Sequence, residues 1–192
     1  MKKYLLLLSA AGMVTALYAA NPPASSMEPV IEEAKPKSAK VTAEAVVTNS
    51  VTNGNFTLKW VKTKSYVTLI IKGKTAGWVA FMIGAQQKMK NGDIYIGYVK
   101  DGKAYVADHF GADVVKHKAD DTLGGKNSII EYSGVEKDGF TQIAVKIDIT
   151  QKDAKDNGFA PGEYNVILAA GPDDNFTTKH NQMKKVVIKI KE

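Results

Sequence analysis

The chain contains no cysteine and no arginine among its 192 residues, and only three histidines, His109, His117 and His180. The missing thiols exclude disulfides, thiolate zinc sites, iron–sulfur clusters, a catalytic cysteine and covalently attached c-type haem, which needs Cys-x-x-Cys-His. Any fold must therefore be held by core burial alone. The missing guanidinium removes the side chain best suited to bidentate contacts with bases and phosphates. The lysines that make up the basic complement are scattered, so no nucleic-acid partner is expected. The net charge of +6 can still steer an acidic protein partner.

Catalytic motifs are absent too. There is no His-x-His or His-Glu-x-x-His for zinc and no Gly-x-Ser-x-Gly nucleophile elbow. Gly124-Gly125-Lys126 is not a phosphate loop, because Asp120 occupies the first glycine position and Asn127 replaces the Ser or Thr. Asp120/Asp121 and Asp173/Asp174 read as solvated turns without EF-hand spacing. No catalytic residue is assigned, and the chain is not expected to be an enzyme.

What is present is ordinary globular composition, 44% hydrophobic and 24% charged, enough for a real core. Residues 1–19 read as a secretory signal peptide: Lys2 and Lys3, an apolar run from Tyr4 to Leu17, then small residues. The run is short for a membrane span, which needs ~20 residues. A periplasmic or secreted location is expected, with membrane attachment only if the signal stays uncleaved. Residues 20–40 are rich in Pro, Ala, Ser, Glu and Lys and read as a flexible linker.

From Val41 to the end the pattern turns to β. Phe56 to Val61 alternates apolar and polar, and Ser65 to Lys72 is a β-branched run. Asp101-Gly102 and Lys137-Asp138-Gly139 each separate two alternating runs and predict hairpins. Residues 111–127 read as one long loop, and Thr150 to Asn157 as one helical turn. Nine to eleven short strands with Gly, Asn and Asp turns predict an all-β, antiparallel β-sandwich over 41–192.

Two side chains stand outside this pattern. Met89 is a thioether among Gln86, Gln87, Lys88, Lys90 and Asn91, and His180 lies in the polar stretch before the last strand. A thioether and an imidazole are an axial pair for low-spin haem iron, and such a pair raises the potential into an electron-transfer range. Loop residues of these types are also ordinary surface residues, and Met183, three positions past His180, is a rival ligand.

The order of segments resembles the DOMON domain. Gly77-Trp78-Val79-Ala80-Phe81 leads to Met89, with Asp93 four residues later and a strand ending at Asp101-Gly102. Ala104 to Phe110, Glu163 to Gly171 and then His180 follow in the family's order. Lys90 and Asn91 depart from the small residues common there.

The resemblance implies an immunoglobulin-like sandwich with an end pocket and a b-type haem on Met89 and His180. It is similar to the cytochrome domain of cellobiose dehydrogenase. Related haem subunits of the ethylbenzene dehydrogenase type use Met with Lys, which makes Lys179 a variant ligand. Trp78, Phe81, Met82, Ile94, Tyr95 and Phe176 are the implied pocket walls, although Trp78, Phe81 and Ile94 suit a sandwich core equally. The implied role is single-electron exchange with a redox partner protein, in a membrane-bound or periplasmic electron-transfer complex. The alternatives are a haem-free module for carbohydrate or another small ligand, with Trp78 or Tyr95 as a stacking platform, and an adaptor subunit.

Overall fold

The computed structural model of the chain describes residues 49–150 and 153–191. The expected leader, the linker and the segment 41–48 lie outside the described residues, as do two residues of the expected turn at 150–157. The described residues form eleven strands: β1 (Asn49–Asn53), β2 (Phe56–Lys62), β3 (Tyr66–Gly73), β4 (Val79–Ile83), β5 (Asp93–Lys100), β6 (Lys103–Asp113), β7 (Lys116–Ala119), β8 (Ile129–Lys137), β9 (Phe140–Asp148), β10 (Gly162–Ala170) and β11 (Gln182–Ile190). All pairings are antiparallel. They build a five-stranded sheet, β1-β2-β3-β9-β8, and a six-stranded sheet, β11-β10-β4-β5-β6-β7. The sandwich expected from the sequence is the fold observed.

Both Asp-Gly hairpins form where predicted. Asp101 and Gly102 have φ of 51° and 71°, and Asp138 and Gly139 have 54° and 74°. Positive φ at both central residues matches the twist of the flanking strands, which is why Asp-Gly is selected there. The first hairpin pairs Lys100 with Lys103 and so fixes the register of β5 on β6.

One face of each sheet packs into a common core. Phe56, Leu58 and Trp60 alternate inward from β2, and Leu69 and Ile71 from β3. Opposite them stand Phe81 and Ile83 of β4, Tyr95 of β5 and Leu168 of β10. Burying a side chain of this size stabilises by roughly 1.5–3 kcal/mol. Phe81 stacks on Phe159 with centroids 6.1 Å apart and planes at 13°.

Residues 111–127 are more ordered than the sequence suggested. β6 runs on to Asp113, β7 returns antiparallel to it, and Asp120–Leu123 form a single 3-10 turn. The short β7, KHKA, has polar side chains at three of its four positions, too weak a signal to stand out. Surface charge contributes little here. Lys146 lies 3.9 Å from Glu131 and over the Tyr66 ring at 4.4 Å. Glu131→Ala should therefore change the urea-unfolding free energy by less than about 1 kcal/mol.

Candidate cofactor site on the outer face of the six-stranded sheet

The middle strands β4 and β5 of the six-stranded sheet are buried on both faces. Side chains alternate along each strand, so the register assigns the outer face without ambiguity. One cross-strand row reads Lys185, Ile167, Met82, Ile94, His109, Ala119, and the next Met183, Ala169, Ala80, Ile96, Ala107. Trp78, Ala80, Met82, Ile94, Ile96 and Ala169 form a buried cluster of their own, separate from the sandwich core. Met89, Tyr98, Ala107, Ile167 and Phe176 pack against it. The second row is mostly small residues, which lowers the floor between the bulkier flanking side chains.

Two loops cover this face. The first, between β4 and β5, carries Met89. Its backbone is tied down at each step: Gln86 N–H donates to the Lys90 carbonyl (3.0 Å), Lys90 N–H to Gln87 (2.9 Å) and Gly92 N–H to Met89 (2.9 Å). Lys88 and Asn91 take positive φ, 51° and 60°. The loop is sewn to the end of β6, with Asn91 N–H donating to the Gly111 carbonyl (2.9 Å) and Gly111 N–H to Gly92 (2.8 Å). Gly111 lies so close that a Cβ there would overlap the Met89 carbonyl oxygen. Met89 thus has a fixed backbone and a half-buried side chain.

The second loop, residues 171–181, joins β10 to β11 and carries Phe176 and His180. Gly171 N–H donates to the Trp78 carbonyl (2.9 Å), Trp78 N–H to Asp173 (3.1 Å) and Asn181 N–H to Ala170 (3.0 Å). Asp173 and Asn175 fold its tip through Asx-type bonds to Asn175 N–H and Thr177 N–H, at 3.0 and 2.9 Å. A Cβ at Gly171 would overlap the Trp78 indole. Phe176 lies against Tyr98 at 4.9 Å and edge-on to His109 at 5.8 Å. His180 is half-buried.

The outer face therefore brings together Trp78, Met82, Met89, Ile94 and Phe176 of the residues singled out in the sequence, with His180 on the second covering loop. Phe81 and Tyr95 belong elsewhere. They pair with each other across β4 and β5 on the inner face and are 0% and 1% exposed in the sandwich core. An apolar run such as Trp78 to Ile83 does not show which alternate residues face which layer when both faces are buried. Met183 shares a row with Ala169 but is 43% exposed, at the edge of the patch.

Two histidines not assigned to the site stand beside it. His109 and His117 approach with Nδ1 to Nδ1 at 2.7 Å, a distance that requires one ring to donate and the other to accept. Burial, and then the neighbouring His117, push His109 down to about 4; burial lowers His117 as well. Both rings are neutral at neutral pH. The signal was in the Asp101-Gly102 hairpin, whose register places His109 opposite Ile94 on the outer face. Burial, followed by Tyr105 and Asp174, raises the Tyr98 hydroxyl. Two buried polar atoms at the Trp78 end have no hydrogen-bond partner among the described residues, Trp78 Nε1 and Asp174 Oδ1.

Residues 52–171 match the DOMON domain. No curated protein matches the chain in sequence. Among solved structures, it is similar to the cytochrome domain of Myriococcum thermophilum cellobiose dehydrogenase, with a TM-score of 0.55 at 12% identity, covering 74% of this chain and 81% of that one. It is also similar to the cytochrome b domain of pyranose dehydrogenase from Coprinopsis cinerea, with a TM-score of 0.52 at 13% identity, covering 70% and 76%. At these identities the likeness shows the fold.

Proposed function

Because the chain belongs to the DOMON domain family, we propose that it is an exported b-type cytochrome that binds one haem through Met89 and His180 and passes single electrons to and from a partner protein. One observation carries this reading. The Met89 loop and the His180 loop close over the same apolar face, away from the sandwich core, through the packing of Met89 and Phe176 on one cluster. Both solved structures named above are cytochrome domains, which supports the same reading.

The residues fit the group. A flat, apolar macrocycle held without thioether bonds needs apolar walls and two axial donors, and the outer face supplies Trp78, Met82, Ile94, Ile96 and Phe176 around a floor of alanines. The unsatisfied Trp78 N–H is a donor whose burial without an acceptor costs about 1–3 kcal/mol. A polar edge of a bound group can relieve that cost. Bound haem supplies a one-electron couple at iron. Met89 and His180 would hold the iron between them, and a haem so held would supply single-electron transfer rather than substrate chemistry.

The chain's own residues set the conditions for that role. The hydrogen-bonded loop fixes the Met89 backbone before any ligand arrives. The apolar cluster excludes water, and the neutral His109–His117 pair adds no charge. Lys88, Lys90 and Lys179, all exposed on the covering loops, present a basic rim to an acidic redox partner, of a kind that meets its target weakly and briefly. A haem-free sugar site has less support, since Tyr95, one of its two stacking candidates, is 1% exposed in the sandwich core.

An absorbance spectrum of the purified protein tests the proposal. A sharp Soret band with split α and β bands on reduction is expected. Met89→Ala and His180→Ala should each abolish the low-spin spectrum while Met183→Ala keeps it. A colourless protein that takes up no added haemin sinks the reading. Loss of the spectrum in Met183→Ala but not Met89→Ala overturns the ligand assignment.

A further inference from the structure

The two loops that cover the outer face are fastened in different ways. The Met89 loop is bonded to other elements along its length. Asn91 N–H donates to the Gly111 carbonyl at 2.9 Å and Gly111 N–H to Gly92 at 2.8 Å. Met89 N–H reaches the Val114 carbonyl at 3.4 Å, and Asn157 Nδ2 donates to the Asn91 carbonyl at 2.6 Å. In the second loop, residues 174–180 make no hydrogen bond to another element among the described residues. Their bonds stay inside the loop: Thr178 N–H donates to the Asn175 carbonyl at 3.0 Å, the Thr178 hydroxyl to Asp173 Oδ2 at 3.0 Å and the Thr177 hydroxyl to Asn175 Oδ1 at 2.8 Å. The bonds that tie this loop to the sheet lie at its two ends, from Gly171 and Asp173 to Trp78 and from Asn181 to Ala170.

The tip meets the sheet through Phe176. Tyr98 pairs with Tyr105 and Ile94 with His109, and Ile96 and Ala107 pair between them. Phe176 touches the rings on both sides of that middle pair, Tyr98 at 4.9 Å and His109 at 5.8 Å. Its ring therefore lies over Ile96 and Ala107. That slot is one end of the small-residue row Ala169, Ala80, Ile96, Ala107, the floor of the candidate site. Phe176 fills it from above.

A segment bonded mainly to itself moves as a unit, and one with few ties to its surroundings opens locally at low cost. Phe176 is only half-buried, so its withdrawal exposes less apolar surface than freeing a core ring would. We propose that residues 171–181 form a hinged jaw latched by Phe176, which lifts to admit haem to the outer face while the Met89 jaw stays fixed. The inference rests on the reading of that face as the cofactor site. His180 rides on the moving jaw, so opening carries the imidazole away from the face and closing returns it. Met89 stays in place throughout. Phe176 is then a gate residue as well as a wall.

Trypsin reports the opening without haem. Lys179 lies on the moving jaw and Lys88 and Lys90 on the fixed one, and all three are exposed. Cleavage of a transiently opened segment follows the population of its open form. The purified chain is digested briefly and its fragments are identified by mass spectrometry. Cleavage after Lys179 should exceed cleavage after Lys88 or Lys90. Phe176→Ala, which loses the aromatic contacts, should raise it about fivefold or more and leave the other two sites unchanged. Phe176→Tyr keeps the ring and should stay within about twofold of wild type. Haemin uptake, followed by stopped-flow absorbance, should be faster in Phe176→Ala than in wild type. Equal cleavage after Lys179 in wild type and Phe176→Ala, an equal rise at all three sites, or preferred cleavage at the fixed loop overturns the latch. Uptake no faster in Phe176→Ala overturns the gate. Should neither protein take up haemin, the cytochrome reading fails, and the trypsin comparison still decides the latch.

Discussion

Gly111→Ala should destabilise the domain by about 3 kcal/mol, the upper range for forcing an added carbon into a closed interior. The added Cβ would overlap the Met89 carbonyl oxygen and press on the Met89 carbonyl carbon at 2.6 Å. Both are backbone atoms, so no side-chain rotation relieves the clash. Relief means parting β6 from the loop, which breaks the Asn91–Gly111 and Gly111–Gly92 hydrogen bonds and frees the Met89 backbone. In the proposed cytochrome, the low-spin spectrum should weaken with it. Gly102→Ala is the control: its φ is +71° but nothing lies within 4 Å. That variant should cost only about 1–2 kcal/mol, for a left-handed conformation alone, and keep the spectrum. Urea unfolding of the two variants decides the matter. If Gly111→Ala matches wild type, the close approach of β6 to the Met89 loop is wrong.

Much of this architecture was legible in the sequence, and the exceptions share a cause. β5 and both Asp-Gly hairpins follow from local chemistry, alternation and positive φ, which a single strand can declare. Phe81 and Tyr95 could not be assigned to a face, because β4 and β5 are buried on both sides and lose the polar half of their alternation. Trp78, Met82 and Ile94 are as apolar as Phe81 and Ile83, yet they face the opposite way. Met89 stood out because its neighbours in the chain are polar. His109 did not, because its importance comes from β5 across the sheet. Asp120 was misread for the same reason. Paired with Asp121 in a polar stretch it looks solvated, and only the return of β7 along β6 carries it inward beside Asp108.

The buried carboxylates of Asp93, Asp108 and Asp120 give the second large effect. The domain should gain stability as pH falls from about 7.5 to about 6, the reverse of ordinary acid sensitivity. Burial raises Asp93 well above the usual carboxylate range, with Asp108 the next cause. Burial likewise brings Asp108 to about 6 and Asp120 to about 7, against an ordinary value of 3.8. Between the ordinary and the raised values the folded chain holds more protons than the unfolded one. Each group's contribution is therefore complete at low pH and lost as pH rises through the folded value. Every tenfold difference in proton affinity is worth about 1.4 kcal/mol, so the effect is on the order of a few kcal/mol. His109 and His117 oppose it. Their folded values are lowered, so below about 6.5 the unfolded chain binds the extra protons and stability falls. Wild type should rise and then flatten, whereas His109→Gln should keep rising over the same interval. Chemical denaturation across this range reads both curves. A wild-type curve that climbs toward alkaline pH would show that the three aspartates are ionised and compensated without protons.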